Sequence, residues 1–187
     1  MDYIPVEVAA LTDAPDQSQA FVLVLEEVDG FRRLPIKLGH AEAQAIALAV
    51  QSRELSRPAT HDLFAGVLQS AGLQLREAKI NRMEGEAFCA LLTFRKPDGN
   101  TFEQDARPSD AIALALRLSC PVKVAGNIMD DHGMLSNRLT PNTAWIKGKL
   151  EDYTLPELEA LLQQAVERED YQSASRIRDA ITRLSNS

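Results

Sequence analysis

Two short stretches of this 187-residue chain set an arginine and a proline beside acidic and imidazole side chains: "RPATHDL" from Arg57 and "DARPSDAIALALR" from Asp105. Arginine clamps phosphate oxygens through its planar N–H fork, carboxylates hold hard divalent cations, and histidine exchanges protons near neutral pH. Phosphodiester hydrolysis needs this combination: an activated water, neutralised charge around phosphorus and a stabilised leaving oxygen. On this reading the candidate catalytic residues are His61, Asp62 and Asp110, with His61 as general base. Arg57 and Arg107 are candidate substrate clamps. Asp62, Asp105 and Asp110 are candidate oxygen ligands for a divalent metal, Mg²⁺ or Mn²⁺. Glu42 stands at the corresponding entrance of an upstream segment, "GHAEAQAIALAV".

The same residues also suit an ordinary helix start. An aspartate in the first turn satisfies orphan N–H groups and favours the macrodipole, Thr60 or Ser109 serves as cap, and the preceding proline stiffens the approach. An arginine beside such an aspartate then simply pairs with it. His40 and His132 carry no comparable pattern. The sequence has no pair of histidines at metal-ligand spacing, no glycine-rich phosphate loop and no Asp-x-Glu-x-Lys strand pattern. Aromatic residues make up 5% of the chain, too few for an obvious base-stacking platform. The net charge of −7 opposes a polyanion unless a local basic patch or bound cations offset it.

The elements that must position these residues show a repeat. "YIPVEVAAL" and "QAFVLVLEEV" alternate as strands do, and a turn at Asp29–Gly30 leads into a third strand, "FRRLPIKL". Glycine there is expected to supply a positive φ. The Ala/Leu-rich helix "HAEAQAIALAVQSREL" follows. The order then returns: "GLQLREAKINRM" and "EAFCALLTFRK" as strands, "PDGN" as a turn, "TFEQDA" as a strand, "PSDAIALALRLS" as a helix and "PVKVA" as a closing strand. "AIALAV" from Ala45 and "AIALAL" from Ala111 lie 66 positions apart, and the turns at Asp29 and Asp98 lie 69 apart. An extra helix, "THDLFAGVLQSAG", separates the copies, with Gly72 as its stop. The predicted fold class is α+β: duplicated β-β-β-α units in a mainly antiparallel sheet with helices on one face, plus a C-terminal α-helical hairpin.

The pattern lapses from His132 to Lys149, where Trp145 is the one candidate anchor. We divide the chain into a domain over 1–135, a linker over 136–152 and a hairpin over 153–187. In the hairpin, Thr154 and Glu157 form a capping box around Pro156. Leu155, Leu158, Leu162, Ala165 and Val166 make one apolar stripe. Beyond a break at Glu169–Asp170, Tyr171, Ala174, Ile177, Ile181 and Leu184 make another. Stripes this narrow bury little surface, so the hairpin expects a partner.

Apolar residues at 45% and charged residues at 25% describe a globular chain. No apolar run approaches the ~20 residues that span a bilayer, and the acidic, alternating start lacks signal-peptide character. The expectation is a cytoplasmic protein without membrane contact, with Cys89 and Cys120 as buried reduced thiols.

The ordered set "LPIKLGHAEAQAIALAV", "RPATHDL", "ARPSDAIALALRL" and "CPVKV" resembles the bifunctional nuclease family. "LEALLQQAVEREDYQSASRIRDAITRL" resembles the UVR motif, the helical hairpin shared by UvrB and UvrC excision-repair proteins, with Ser175 where the motif usually has alanine. The resemblance implies a duplicated α+β domain that forms a homodimer or higher homo-oligomer. It implies nuclease activity on RNA or DNA, as reported for plant relatives, and a protein-protein contact through residues 153–187. The alternative is a non-catalytic dimeric adaptor that recruits proteins through the hairpin.

Overall fold

The computed structural model describes residues 2–14, 20–52, 55–135, 155–167 and 171–185. Three strands, β1 (Tyr3–Asp13), β2 (Phe21–Glu27) and β3 (Arg32–Leu38), lead into α1 (His40–Val50) and α2 (Thr60–Ser70). The order then repeats with β4 (Gln74–Glu84), β5 (Ala87–Arg95), β6 (Thr101–Ala106) and α3 (Pro108–Arg117). Next come β7 (Val122–Ala125), α4 (Gly126–His132) and β8 (Met134–Leu135), followed by α5 (Leu155–Glu167) and α6 (Tyr171–Ser185). The duplicated α+β architecture is therefore present. The helix α4 and the short strand β8 fall partly where the sequence shows only a lapse of pattern. The linker over 136–152 with Trp145, the box at Thr154 and the break at Glu169–Asp170 lie outside the described residues.

The strands form one sheet in the order β6-β5-β4-β7-β1-β2-β3-β8. Each repeat keeps its three strands together, and β7 joins the two halves. It runs antiparallel to β1, with Ile4 opposite Val124, and parallel to β4, with Ile80 opposite Val124. Every other pairing is antiparallel, as the hairpin signals require.

The near-identical helix runs are used unequally. In α3, Pro108, Ser109 and every residue from Ala111 to Ala115 are buried. In α1 only Ala43 and Ile46 are. The reason is position: α3 packs between α1 and α2 over β4 and β5, whereas among the described residues α1 packs closely against only one helix, α3. Alanine lets α3 approach its neighbours on all of these sides, while Ile112 and Leu114 fill the space between them. The repeat extends to the helix ends. Ser52 after α1 and Ser119 after α3 both adopt left-handed φ, +48° and +52°. In each case the serine N–H bonds back into the last turn, at Ala49 and Leu116.

Two details depart from the sequence-based expectation. Gly99 in the second turn has φ +87° as anticipated, with Asp98 Oδ1 accepting the Asn100 N–H at 2.9 Å. Gly30 in the first turn does not have positive φ. The glycine makes room for a side chain instead, because an added Cβ would lie 2.0 Å from Glu27 Oε2 and push that carboxylate aside. The helix caps also shift: Ala59 and Arg107, not Thr60 and Ser109, occupy the N-cap positions of α2 and α3.

Candidate functional site

Those caps carry no side-chain hydrogen bond, and the same holds for Gly39 before α1. Each helix instead places a carboxylate at its third position: Glu42 in α1, Asp62 in α2 and Asp110 in α3. Negative charge in a first turn is stabilised by the helix dipole, so each acid suits its own helix. What local physics does not require is that side chains of neighbouring helices reach across to them.

Arg107 and His61 make the first connection. Arg107 Nε donates to Asp110 Oδ2 at 2.8 Å, and its Nη1 donates to Glu42 Oε1 at 3.0 Å, joining α3 to α1. His61 Nε2 lies 3.2 Å from Asp110 Oδ1, joining α2 to α3. The result is a row, Glu42–Arg107–Asp110–His61, whose arginine side chain is 66% exposed and therefore open to an incoming anion. Burial opposes charge on Asp110, but hydrogen bonds from Arg107 and His61 outweigh it and hold the carboxyl below its usual range.

Arg117 makes the second connection. Its side chain is 9% exposed, and its Nε donates to Asp62 Oδ1 at 2.5 Å. Its Nη1 donates to the carbonyls of Ala45 at 3.1 Å and Ala113 at 3.0 Å, so one guanidinium ties α1, α2 and α3. The Arg117 hydrogen bond, with a second from the Ala59 N–H, lowers the Asp62 pKa. Asp62 thus behaves largely as the structural reading predicts, as a helix-start acid held by an arginine.

Of the residues singled out by sequence, the fold brings together His61, Asp62, Asp110 and Arg107. It places Asp105 elsewhere, exposed on β6 with Arg82 Nη2 at 3.1 Å. Arg57 is exposed ahead of α2 and makes no ion pair among the described residues. The cluster also takes in Glu42 and, unanticipated from sequence, Arg117. A lone arginine ending an otherwise apolar buried run, "AIALALR", was the available signal. Among the described residues, no three His, Cys, Asp or Glu side chains stand where they could hold a metal ion. The carboxylates of Asp62 and Asp110 are already engaged by arginines, so the resting cluster offers no ready-made three-carboxylate cage. Both cysteines are free and half-buried, and burial pushes the Cys120 thiol up to about 11.

Every residue of this cluster falls in the region, 23–137, that matches the bifunctional nuclease domain. The chain belongs to that family. Residues 152–187, which include α5 and α6, match the UvrB/UvrC motif. Two uncharacterized proteins of Mycobacterium tuberculosis, from strains H37Rv and CDC 1551, are 40% identical over 114 residues, 61% of this chain and 67% of theirs. Bifunctional nuclease 2 of Oryza sativa subsp. japonica is 27% identical over 125 residues, 65% of this chain and 38% of its own. Bifunctional nuclease 2 of Arabidopsis thaliana is 25% identical over 179 residues, 87% of this chain and 54% of its own. The chain therefore spans only part of the plant proteins' length. No helix among the described residues is long and apolar enough to cross a membrane.

The lowered carboxyls set a pH dependence. A group whose folded pKa lies below its unfolded value adds stability above the unfolded pKa and loses it as pH falls through the folded one. Asp62 and Asp110 are such groups, as is Glu77 through Lys123 and Lys79. Urea unfolding is expected to show stability falling from about pH 5 towards about pH 3. Arg117→Gln is expected to cost about 2 kcal/mol at neutral pH and to make that fall shallower, since Asp62 loses its principal partner.

Proposed function

We propose that the helix-mouth cluster is the active site of a cytoplasmic nuclease acting on RNA or DNA. The observation that carries this reading is the His61–Asp110–Arg107 row on the surface, built from two helices that are far apart in sequence. Asp110 accepting from Nε2–H fixes the tautomer in which Nδ1 of His61 keeps a lone pair. In the proposed step His61 takes a proton from water while the water oxygen bonds to phosphorus. The phosphorus–oxygen bond to the leaving sugar breaks, and that oxygen takes a proton from solvent. Arg107, exchanging Glu42 for a phosphate oxygen, neutralises the charge gathered on phosphorus. Arg57, exposed on the approach to α2, is a clamp for a neighbouring phosphate.

The divalent ion expected on Asp62, Asp105 and Asp110 finds no preformed site among the described residues. Its involvement remains a proposal tested by chelation. Cleavage of single-stranded RNA and DNA is measured with Mg²⁺, with Mn²⁺ and with chelator. His61→Ala and Asp110→Asn are each expected to lose about a hundred-fold or more in rate, and Arg107→Ala about ten-fold or more in kcat/KM. Undiminished cleavage in both His61→Ala and Asp110→Asn would remove the site.

A second observation bears on the homodimer, which the nuclease and adaptor readings share. Leu63, Phe64 and Val67 stand 62%, 46% and 54% exposed along the outer face of α2. A homodimer through this face accounts for them. Sedimentation is expected to show a dimer for the unsubstituted chain and a monomer for Phe64→Asp, with the circular dichroism spectrum unchanged. An unaltered mass in Phe64→Asp rejects this interface.

A further inference from the structure

Apart from the main core, a second buried cluster joins the hairpin to the sheet domain. Its members are Leu158 of α5, Ala174, Ile177 and Ala180 of α6, and one residue from far upstream, Phe31. Leu162 and Ile181 pack at its margin. Phe31 is 2% exposed although it sits in the short turn between β2 and β3, where a large apolar side chain has no core of its own. It is absent from the main core cluster. The hairpin's missing partner is therefore this side chain.

The turn is built to present it. The Glu27 carboxylate, 4% exposed, folds under the turn and accepts from the Arg32 N–H at 3.1 Å, Nε at 2.8 Å and Nη2 at 2.5 Å. Arg32 Nη1 continues to Asp130 on α4 at 2.5 Å. Gly30 lies against this carboxylate so closely that an added Cβ would force the carboxylate or the turn to shift. Such a bracketed turn loses little freedom when Phe31 is buried. The route of the chain agrees. Strand β8 pairs Leu135 with Arg32, so the chain leaves the domain beside Phe31 and Leu158 returns to it. A tethered partner works at an effective concentration of about millimolar, which suits an interface too small to hold freely associating molecules.

We propose that Phe31 clasps the seam between α5 and α6 in cis. The hairpin is thus a closed element, and a protein that engages this seam must first displace Phe31 with a large apolar side chain of its own. Displacement by a protein partner rests on the contact role implied by the UvrB/UvrC motif, whereas the clasp itself does not. Leu155, Val166, Tyr171 and Leu184 stay exposed on the hairpin, a surface on which a first encounter can form before Phe31 leaves.

Hydrogen exchange on the full chain tests the clasp without any partner or nuclease assay. Phe31→Ala is expected to speed exchange in α5 and α6 by at least about ten-fold, leaving β2 and α3 as slow as before, and Phe31→Leu to restore most of the protection. Gly30→Ala, which keeps Phe31 but displaces its turn, is expected to loosen the hairpin as well. Ile177→Ala covers the case in which the turn variants unsettle the domain, and is expected to speed exchange at both the hairpin and residues 28–31. Hairpin protection equal to that of the unsubstituted chain in Phe31→Ala and Ile177→Ala would overturn the clasp. Protection that falls on dilution would also overturn it, assigning the contact to a second copy.

Discussion

A charged group that is nearly out of water has to be paired, and Arg117 meets that demand by gripping three helices. Its donors reach the Asp62 carboxylate on α2, a carbonyl of α1 and a carbonyl of its own helix. Burying a guanidinium against only one of these would leave N–H groups unsatisfied at a cost of roughly 1–3 kcal/mol each. The three helices are therefore held at one mutual arrangement, not merely pressed together by apolar contact. That arrangement brings the mouth of α2 to the mouth of α3 and puts His61 on Asp110. The alanine-rich surface of α3 permits the close packing, and Arg117 fixes its register.

The two ends of α3 divide the work. Near its C-terminus, Arg117 and Asp62 are largely structural, a buried cation and the acid that answers it. At its N-terminus, Arg107 and Asp110 are exposed enough to meet a solute. Asp62 spends its carboxylate on Arg117 and the Ala59 N–H, whereas Asp110 faces the exposed Arg107 and His61, a difference that the spacing of charges in the sequence does not reveal. The acidic net charge keeps its force: three carboxylates in this cluster must be answered by arginines before any phosphate approaches.

Periodicity made the strands, the helices and their duplication legible, because each depends on residues close in sequence. The helix-start acids were legible for the same reason. Partnership across the fold was not. Asp105 and Asp110 are five positions apart, yet one belongs to the face of an edge strand beside Arg82 and the other to a helix mouth, so proximity in sequence misled. Arg117 and Asp62, and likewise Phe31 and Ile177, are pairs whose members lie on separate elements and reveal nothing of each other locally. Gly30 shows the same limit on a smaller scale. Its type was readable as a turn signal, but its cause is a carboxylate folded beneath it.

The central claim is that His61 and Asp110 act as one unit on a phosphodiester. The most direct measurement is a double-mutant cycle of kcat/KM on a single-stranded substrate with His61→Ala, Asp110→Asn and the two combined. Residues that act as a unit give a double variant about as slow as the slower single one. Losses that multiply, or no cleavage by the unsubstituted chain, would contradict the account.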